Sequence, residues 1–340
     1  MSKQSTAWNN QILSNPDGGN IFQSFELAEQ KRSGGWTPRY LELDQLALTV
    51  LEKSVPLLGK IWYLPKGPGV DSLDQLSQIL PGLKQLAHKA GVFAVKIEPE
   101  LKLDPAATSQ LNALGLVKTT NIQPNFSTVL VDLSVDTEQI LMGLPQKGRH
   151  AIRRAEREGV SVEQVEASDA NCQIMYSLLA DTAAGSFMIR PYSYYQSFWQ
   201  KFAAANLGQM FFAYYEGRVI AGAYALTFGA KSTYKDGASI REKIVYGGSH
   251  LLQWEVIKWA KSCGSDLHDL CGTPPAADIN DPQHPHYGLG RFKTSFNKTV
   301  TDYVGTYDLV VKPQAYQIWT KLGERIVKRL HWQKHRQSYY

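Results

Sequence analysis

Residues 210–270 constrain the fold more than any other stretch. Two apolar runs, 210–215 and 218–228, are joined by Glu216 and Gly217, the two-residue connection of a tight hairpin. A third strand is expected at 232–238. Residues 249–262 then carry Leu252, Val256, Trp259 and Ala260 at helical spacing, and 267–270 make one more short apolar run. Hairpin, strand, amphipathic helix and strand in that order need helices packed on a sheet, which excludes all-helical and all-β architectures.

The rest of the chain reads the same way. Residues 21–31 predict a helix with Phe25 and Ala28 inward, stopped by Gly34 and Gly35. Strands are expected at 40–47, 48–58 and 61–64, the last broken by Pro65, Gly67 and Pro68. Residues 73–90 repeat Leu76, Ile79, Leu80, Leu83, Leu86 and Ala87 with helical period, and a buried strand follows at 92–97. A helix capped by Asp104 (105–114) and a strand (127–133) complete this half. Asp136 and Gln139 have capping-box spacing before a short helix that Pro145 ends. Helices at 149–159, 171–184 and 193–205 surround a strand at 160–165. The last strand is expected at 303–310 and a closing helix at 315–334. The fold class is α/β (α+β), with two domains: residues 1–138 completed by 306–340, and residues 139–305. A chain of 340 residues, 43% hydrophobic, can fill two cores.

Composition removes several function classes. The first residues lack the apolar stretch of a signal peptide, and no run is long enough to span a bilayer, so a cytoplasmic protein is expected. Cys172, Cys263 and Cys271 are too scattered for a disulfide framework or a zinc site, and the eight histidines contain no HExxH pattern, so no metal is expected. The net charge of +5 is modest, but it is unevenly spread. Lys147, Arg149, His150, Arg153, Arg154 and Arg157 crowd one segment, and Arg325, Lys328, Arg329, Lys334 and Arg336 another. Such clusters suit partners that bear phosphate.

The second half has the element order of an acetyltransferase domain of the GNAT superfamily. The usual coenzyme A loop is missing. In its place stands REKIVYGGS (241–249), where a glycine pair precedes a helix whose first amides can receive an anion. The segments LHDLCGTPP (267–275) and YGLGRFK (287–293) are more specific. They read as a strand, a turn, a loop and a Phe-Lys pair entering the next element. Together they closely resemble a signature of the Fem (FemABX) family of non-ribosomal peptidyltransferases. The resemblance extends in order through 22–24, 65–68, 123–133, 147–159, Arg190 and Pro191, and 252–264. With no room for a coiled-coil arm, the chain is similar to the compact, FemX-like members.

That resemblance implies two GNAT-like domains and a reaction without cofactor or metal. An amino acid would pass from aminoacyl-tRNA to the stem-peptide amine of a peptidoglycan precursor, either UDP-MurNAc-pentapeptide or lipid II. It places Lys293 at the acyl-transfer centre, where a cation stabilises the tetrahedral oxyanion, with Phe292 as channel lining or packing. Lys31 and Trp36 match positions near the sugar-nucleotide site, for diphosphate and ring contacts; their plain alternatives are a helix-end lysine and a core tryptophan. Arg190 and Tyr194 match an Arg-Pro-x-x-Tyr segment that clamps phosphate or carboxylate. Glu98 would position the amine or bind a charge of the acceptor, unless it is an exposed strand-end carboxylate. Phe93 and Asp236 depart from the aromatic residues of compact relatives, and Tyr234, read as sharing a strand face with Asp236, is the substitute. Lys147, Arg149, Arg153 and Arg157 are the candidate tRNA contacts, with a solvated helix face as the alternative. The C-terminal basic run, with Ile326, Leu330 and Trp332, suits either peripheral contact with the inner membrane surface or a docked helix with a frayed basic end, and the docked helix is the preferred reading. Rival functions are a GNAT-like acyl-CoA transferase and a non-catalytic tRNA- or membrane-binding protein.

Overall fold

The computed structural model describes residues 2–123, 126–183, 188–242, 244–335 and 339–340. Ala184, the expected end of a helix, and Arg336 of the C-terminal basic run lie outside them. The first strands are β1 (Thr37–Leu43), β2 (Leu46–Val55), β3 (Gly59–Leu64), β4 (Val92–Ile97) and β5 (Leu116–Lys118). Then come β6 (Ser127–Asp132), β7 (Ser161–Val165), β8 (Gly208–Tyr215), β9 (Arg218–Phe228), β10 (Lys231–Ser239), β11 (Leu267–Asp269) and β12 (Val300–Asp302), and β13 (Tyr307–Val310) ends the series. The chain divides into two compact units, residues 1–126 with 303–340 and residues 127–302.

The first unit holds a sheet of order β1-β2-β3-β4-β13-β5. Asp44 and Gln45, both at positive φ, close the β1–β2 hairpin. The helix Leu73–Lys89 makes the crossover between the parallel strands β3 and β4. Ser72 caps it by accepting from the Gln75 amide, and Leu76, Ile79, Leu80, Leu83 and Ala87 form its buried face. Every residue of β4 is buried, including Lys96, whose ammonium lies 2.8 Å from Asp308 on β13. A helix at Lys3–Leu13 and the short strand β5 were not expected from the sequence.

The second unit holds a sheet of order β12-β6-β11-β10-β9-β8-β7. Glu216 and Gly217 turn β8 into β9 at positive φ, as their spacing implied. The helix Gly248–Ser262 joins β10 to its parallel neighbour β11. The helix Gln146–Arg157 packs very closely at two points. A Cβ on Gly148 would lie 2.0 Å from the Ser295 carbonyl oxygen, and one on Gly247 would lie 2.2 Å from that of Ala151. Only glycine lets these backbones approach so closely.

Both units are therefore mixed α/β sheets flanked by helices. Two expectations are corrected. The strand expected at 303–310 is shorter: only β13, Tyr307–Val310, forms within it and pairs with β4 and β5, whereas β12, which pairs with β6, ends before it at Asp302. Gly305, at φ 76°, lies between them. The second unit also begins at Ser127 rather than after 138, because β6 is bonded to β11 and β12. The closing helix runs as Pro313–Ile318, a π-helical turn Trp319–Gly323, and Glu324–His335.

Candidate active site

The second unit opens between its two parallel strands. β10 pairs with β11 only from Lys231 to Thr233. Beyond Asp269 the chain stays with β6, through Leu270 N–H to the Val129 carbonyl and Thr273 N–H to that of Ser127. It thereby leaves β10, which continues to Ser239 alongside β9 only. Cys271 sits at this divergence at φ 61°, an uncommon conformation for a residue with a Cβ. Its amide donates to Asp269 Oδ1 at 2.7 Å.

Lys293 enters this loop from the end of the helix Tyr287–Lys293. The loop expected before the Phe-Lys pair is thus corrected to a helix. Gly288 and Gly290 are helical, and a Cβ at Gly290 would lie 2.8 Å from Ile279 and 3.0 Å from Pro274. Lys293 is only 4% exposed, and its Nζ donates to the carbonyls of Cys271 and Gly272, each at 2.6 Å. Burial pulls its pKa down to about 8, against the opposing pull of the Cys271 and Asp269 side chains. Phe292 lies beside His250 and Phe296, with ring centroids 5.0 and 5.5 Å away. His250 is held neutral, its pKa lowered to about 4 by burial and then by Lys147.

β10 adds a cation that the sequence reading missed. The β9–β10 register slips between Tyr234 and Asp236, so Lys235 is the extra residue of a bulge. Its Nζ lies 3.1 Å from Asp236 Oδ1, whose Oδ2 accepts from Trp199 Nε1 at 2.9 Å. Burial opposes its charge, but Asp236, then Tyr194, Tyr195 and Cys271, outweigh it and raise its pKa. Lys235 and Lys293 thus both lie within electrostatic reach of Cys271, the first a fixed cation and the second titrating near neutrality. The bulge also corrects the reading of Tyr234. Tyr234 pairs with Ala225 and Asp236 with Tyr224, consecutive residues of β9, so the two side chains fall on opposite faces. Tyr234 packs on the core, and Asp236 faces Trp199. A bulge has no sequence signature in this strand; the only available signal was a Lys-Asp pair inside a strand.

Arg190 and Tyr194 do meet, with the guanidinium carbon 4.6 Å from the ring centroid. The four candidate tRNA contacts separate. Arg149 is engaged by the carbonyls of Met142, at 2.6 Å, and Leu144, which it caps. Arg153 and Arg157 line an open groove of about 570 Å³ with Gln146, Arg149, His150 and Glu156. Lys147 lines a different groove, of about 450 Å³, with Tyr287, Arg291 and Lys298.

Three candidates belong to the first unit. Lys31 is half-buried in the last turn of the helix Phe25–Lys31. Trp36 is 4% exposed: Tyr340 stacks on it, Tyr63 and Tyr339 flank it, and the Lys53 ammonium stands 4.8 Å above its ring. A nucleotide reaches that ring only if Tyr339 and Tyr340 leave, so the core alternative describes it. Tyr339 and Tyr340, beyond the closing helix, are buried. Phe93 is likewise core, packed on Trp319. Glu98 is 5% exposed rather than an open strand-end carboxylate. It accepts from Tyr63 Oη, Thr306 Oγ1 (2.6 Å), Ile122 N (3.0 Å) and Gln123 N (3.1 Å). Four donors of its own unit use its lone pairs, which corrects the acceptor-binding role.

A FemAB family model matches residues 106–218 and 204–323. The chain belongs to the FemAB family. It is 21% identical to the lipid II:glycine glycyltransferase of Staphylococcus aureus (strain MRSA252), over 93% of this chain and 94% of that protein. The Staphylococcus haemolyticus enzyme of the same name is 22% identical, over 91% and 92%. The alignment with the first spans 403 positions, more than the 340 residues here, so it carries residues this FemAB protein lacks. The crystal structure of FemX shares the fold, with a TM-score of 0.79 at 21% identity and coverage of 94% and 98%. The structure of L-PGS from Bacillus licheniformis is more distant, with a TM-score of 0.53 at 13% identity and coverage of 94% and 96%.

Proposed function

We propose that this FemAB protein is an aminoacyltransferase of cell-wall assembly, moving an amino acid from aminoacyl-tRNA to a stem-peptide amine of UDP-MurNAc-pentapeptide or lipid II. The observation that carries the reading is the opening between β10 and β11, with Lys293 buried behind it and Lys235 bulged beside it. Relatives over nearly the full chain named as lipid II:glycine glycyltransferases support it.

The neutral acceptor amine attacks the ester carbonyl, a C–N bond forms, and the carbonyl electron pair moves onto oxygen. Lys293 opposes that negative charge. The intermediate then collapses, the C–O bond to the ribose breaks, and the ribose oxygen takes the proton released by the new amide nitrogen. The ester is already activated, so ATP and a covalent enzyme intermediate are unnecessary. Arg153 and Arg157 offer phosphate contacts along their groove. Arg190 and Tyr194 offer a cation and a ring to the precursor. These steps place the protein in the cytoplasm, where charged tRNA is found.

The test supplies purified protein with tRNA charged with mixed labelled amino acids, and with each acceptor in turn, read by mass spectrometry. A ribonuclease-sensitive mass gain on either acceptor is expected. No gain on both acceptors would overturn the reading, and thermal stabilisation by acetyl-CoA would then favour the acyl-CoA rival.

A further inference from the structure

The closing helices have one face docked and one face apolar but bare. Trp319 is fully buried against Phe93, and Val327 packs on the same core. On the other side Ile318, Leu322, Ile326 and Leu330 follow one another at four-residue steps, 55, 62, 53 and 58% exposed. Trp332 is also exposed. Residues four apart are neighbours on a helix, so these aliphatics form a stripe where a water-facing helix would be polar. Leu57, fully exposed, sits in the β2–β3 turn, and the next residue, Leu58, lies against Gly323 of the same helical segment.

The charge around the stripe is one-sided. Residues 313–335 contain Lys321, Arg325, Lys328, Arg329 and Lys334 against the single acid Glu324, five cations less one anion. Glu324 is occupied by Lys328 (2.9 Å) and by the Tyr340 hydroxyl (2.9 Å). Arg325, Arg329, Lys321 and Lys334 are exposed. A second copy of the chain would bring the same positive run against this one, and like charges oppose that pairing. An anionic lipid surface complements both features, taking the aliphatics into the headgroup boundary and the cations against lipid phosphate.

We propose that the Ile318–Leu322–Ile326–Leu330 face of the closing helices is a membrane-surface site that docks this protein on anionic lipid. If the function proposed above holds, on which this last step rests, docking puts the enzyme where a lipid-linked acceptor lies and favours lipid II over the soluble precursor.

The test is flotation of the full chain with phosphatidylcholine vesicles, with and without phosphatidylglycerol. Association with the anionic vesicles alone, weakening as salt rises, is expected. Arg325→Ser and Arg329→Ser should each weaken it about fivefold, and Ile326→Glu at least about tenfold, with unchanged circular dichroism. These are surface positions, and the double variant Leu322→Gln/Ile326→Gln serves if the charged one misfolds. Failure to float, equal binding to neutral vesicles, or binding indifferent to all the substitutions would overturn the proposal. So would a wild-type dimer that becomes a monomer in Ile326→Glu. Flotation without any aminoacyl transfer would uphold the docking face and sink the function. Transfer without flotation would do the reverse.

Discussion

Replacing Lys293 by methionine separates its charge from its volume, and the structure sets what each is worth. Its pKa falls from 10.5 to about 8, so at pH 7 the folded chain holds a cation that burial disfavours by about 3 kcal/mol. Between pH 8 and 10.5 the unfolded chain binds more protons at this residue than the folded chain, so stability rises with pH across that window. Above 10.5 the gain is complete, and it is lost as pH falls through about 8. Lys293→Met removes the buried charge but leaves the carbonyls of Cys271 and Gly272 without their donor, at about 1–3 kcal/mol each. Near pH 7 these effects largely offset, for a net change between about 1 kcal/mol of gain and about 3 kcal/mol of loss. By pH 10.5 the wild-type amine is neutral and still donates, so the wild type should lead by about 3 kcal/mol more than at pH 7. Urea unfolding of both proteins at pH 7 and 10.5 measures this, because groups common to both cancel in the difference. A gap that stays constant within error would refute the argument that burial governs Lys293. Transfer gives the second readout. If the protonated ammonium meets the oxyanion, wild-type turnover should decline above about pH 8, and the residual activity of the methionine variant, lower by about 10²–10³, should lack that limb.

Three further outcomes are expected. Glu98→Ala should destabilise the chain by about 3–5 kcal/mol in urea unfolding, because it orphans four donors, two of them buried side-chain hydroxyls; a stable variant with only a raised acceptor KM would restore the binding role. Lys235→Met should lower kcat by about 10²-fold with KM little changed, and Lys235→Arg should recover part of it, if that cation faces developing charge; an equal loss in both, matched by lost thermal stability, would make the residue structural. Arg153→Ser/Arg157→Ser should reduce the slope of log affinity for tRNA against log salt by about 1.4 in total if both meet single-stranded acceptor phosphates; an unchanged slope in filter binding would return that groove to the solvent.

Much of the fold was legible because its signals are local. The hairpin at Glu216 and Gly217, the capping box at Asp136 and the periodic helix over 73–89 each depend on residues a few positions apart, and all three form. The start of the last strand was not legible in this way, since β13 begins at Tyr307 rather than at 303 and local β-propensity does not reveal where its pairing with β4 starts.

The sequence by itself determined the mixed α/β class, the family resemblance and the presence of an essential-looking lysine in YGLGRFK, because patterning and motif spacing are written along the chain. Only the tertiary structure decided what surrounds each candidate. It put Lys293 under two carbonyls, saturated Glu98 with four donors, closed Trp36 behind Tyr339 and Tyr340, turned Tyr234 away from Asp236 through one bulged residue, and left a bare apolar stripe beside the docked face of the closing helices. Burial, hydrogen-bond saturation and the face a side chain takes arise from contacts between residues distant in sequence. For Glu98 alone the partners lie 24 to 208 positions away.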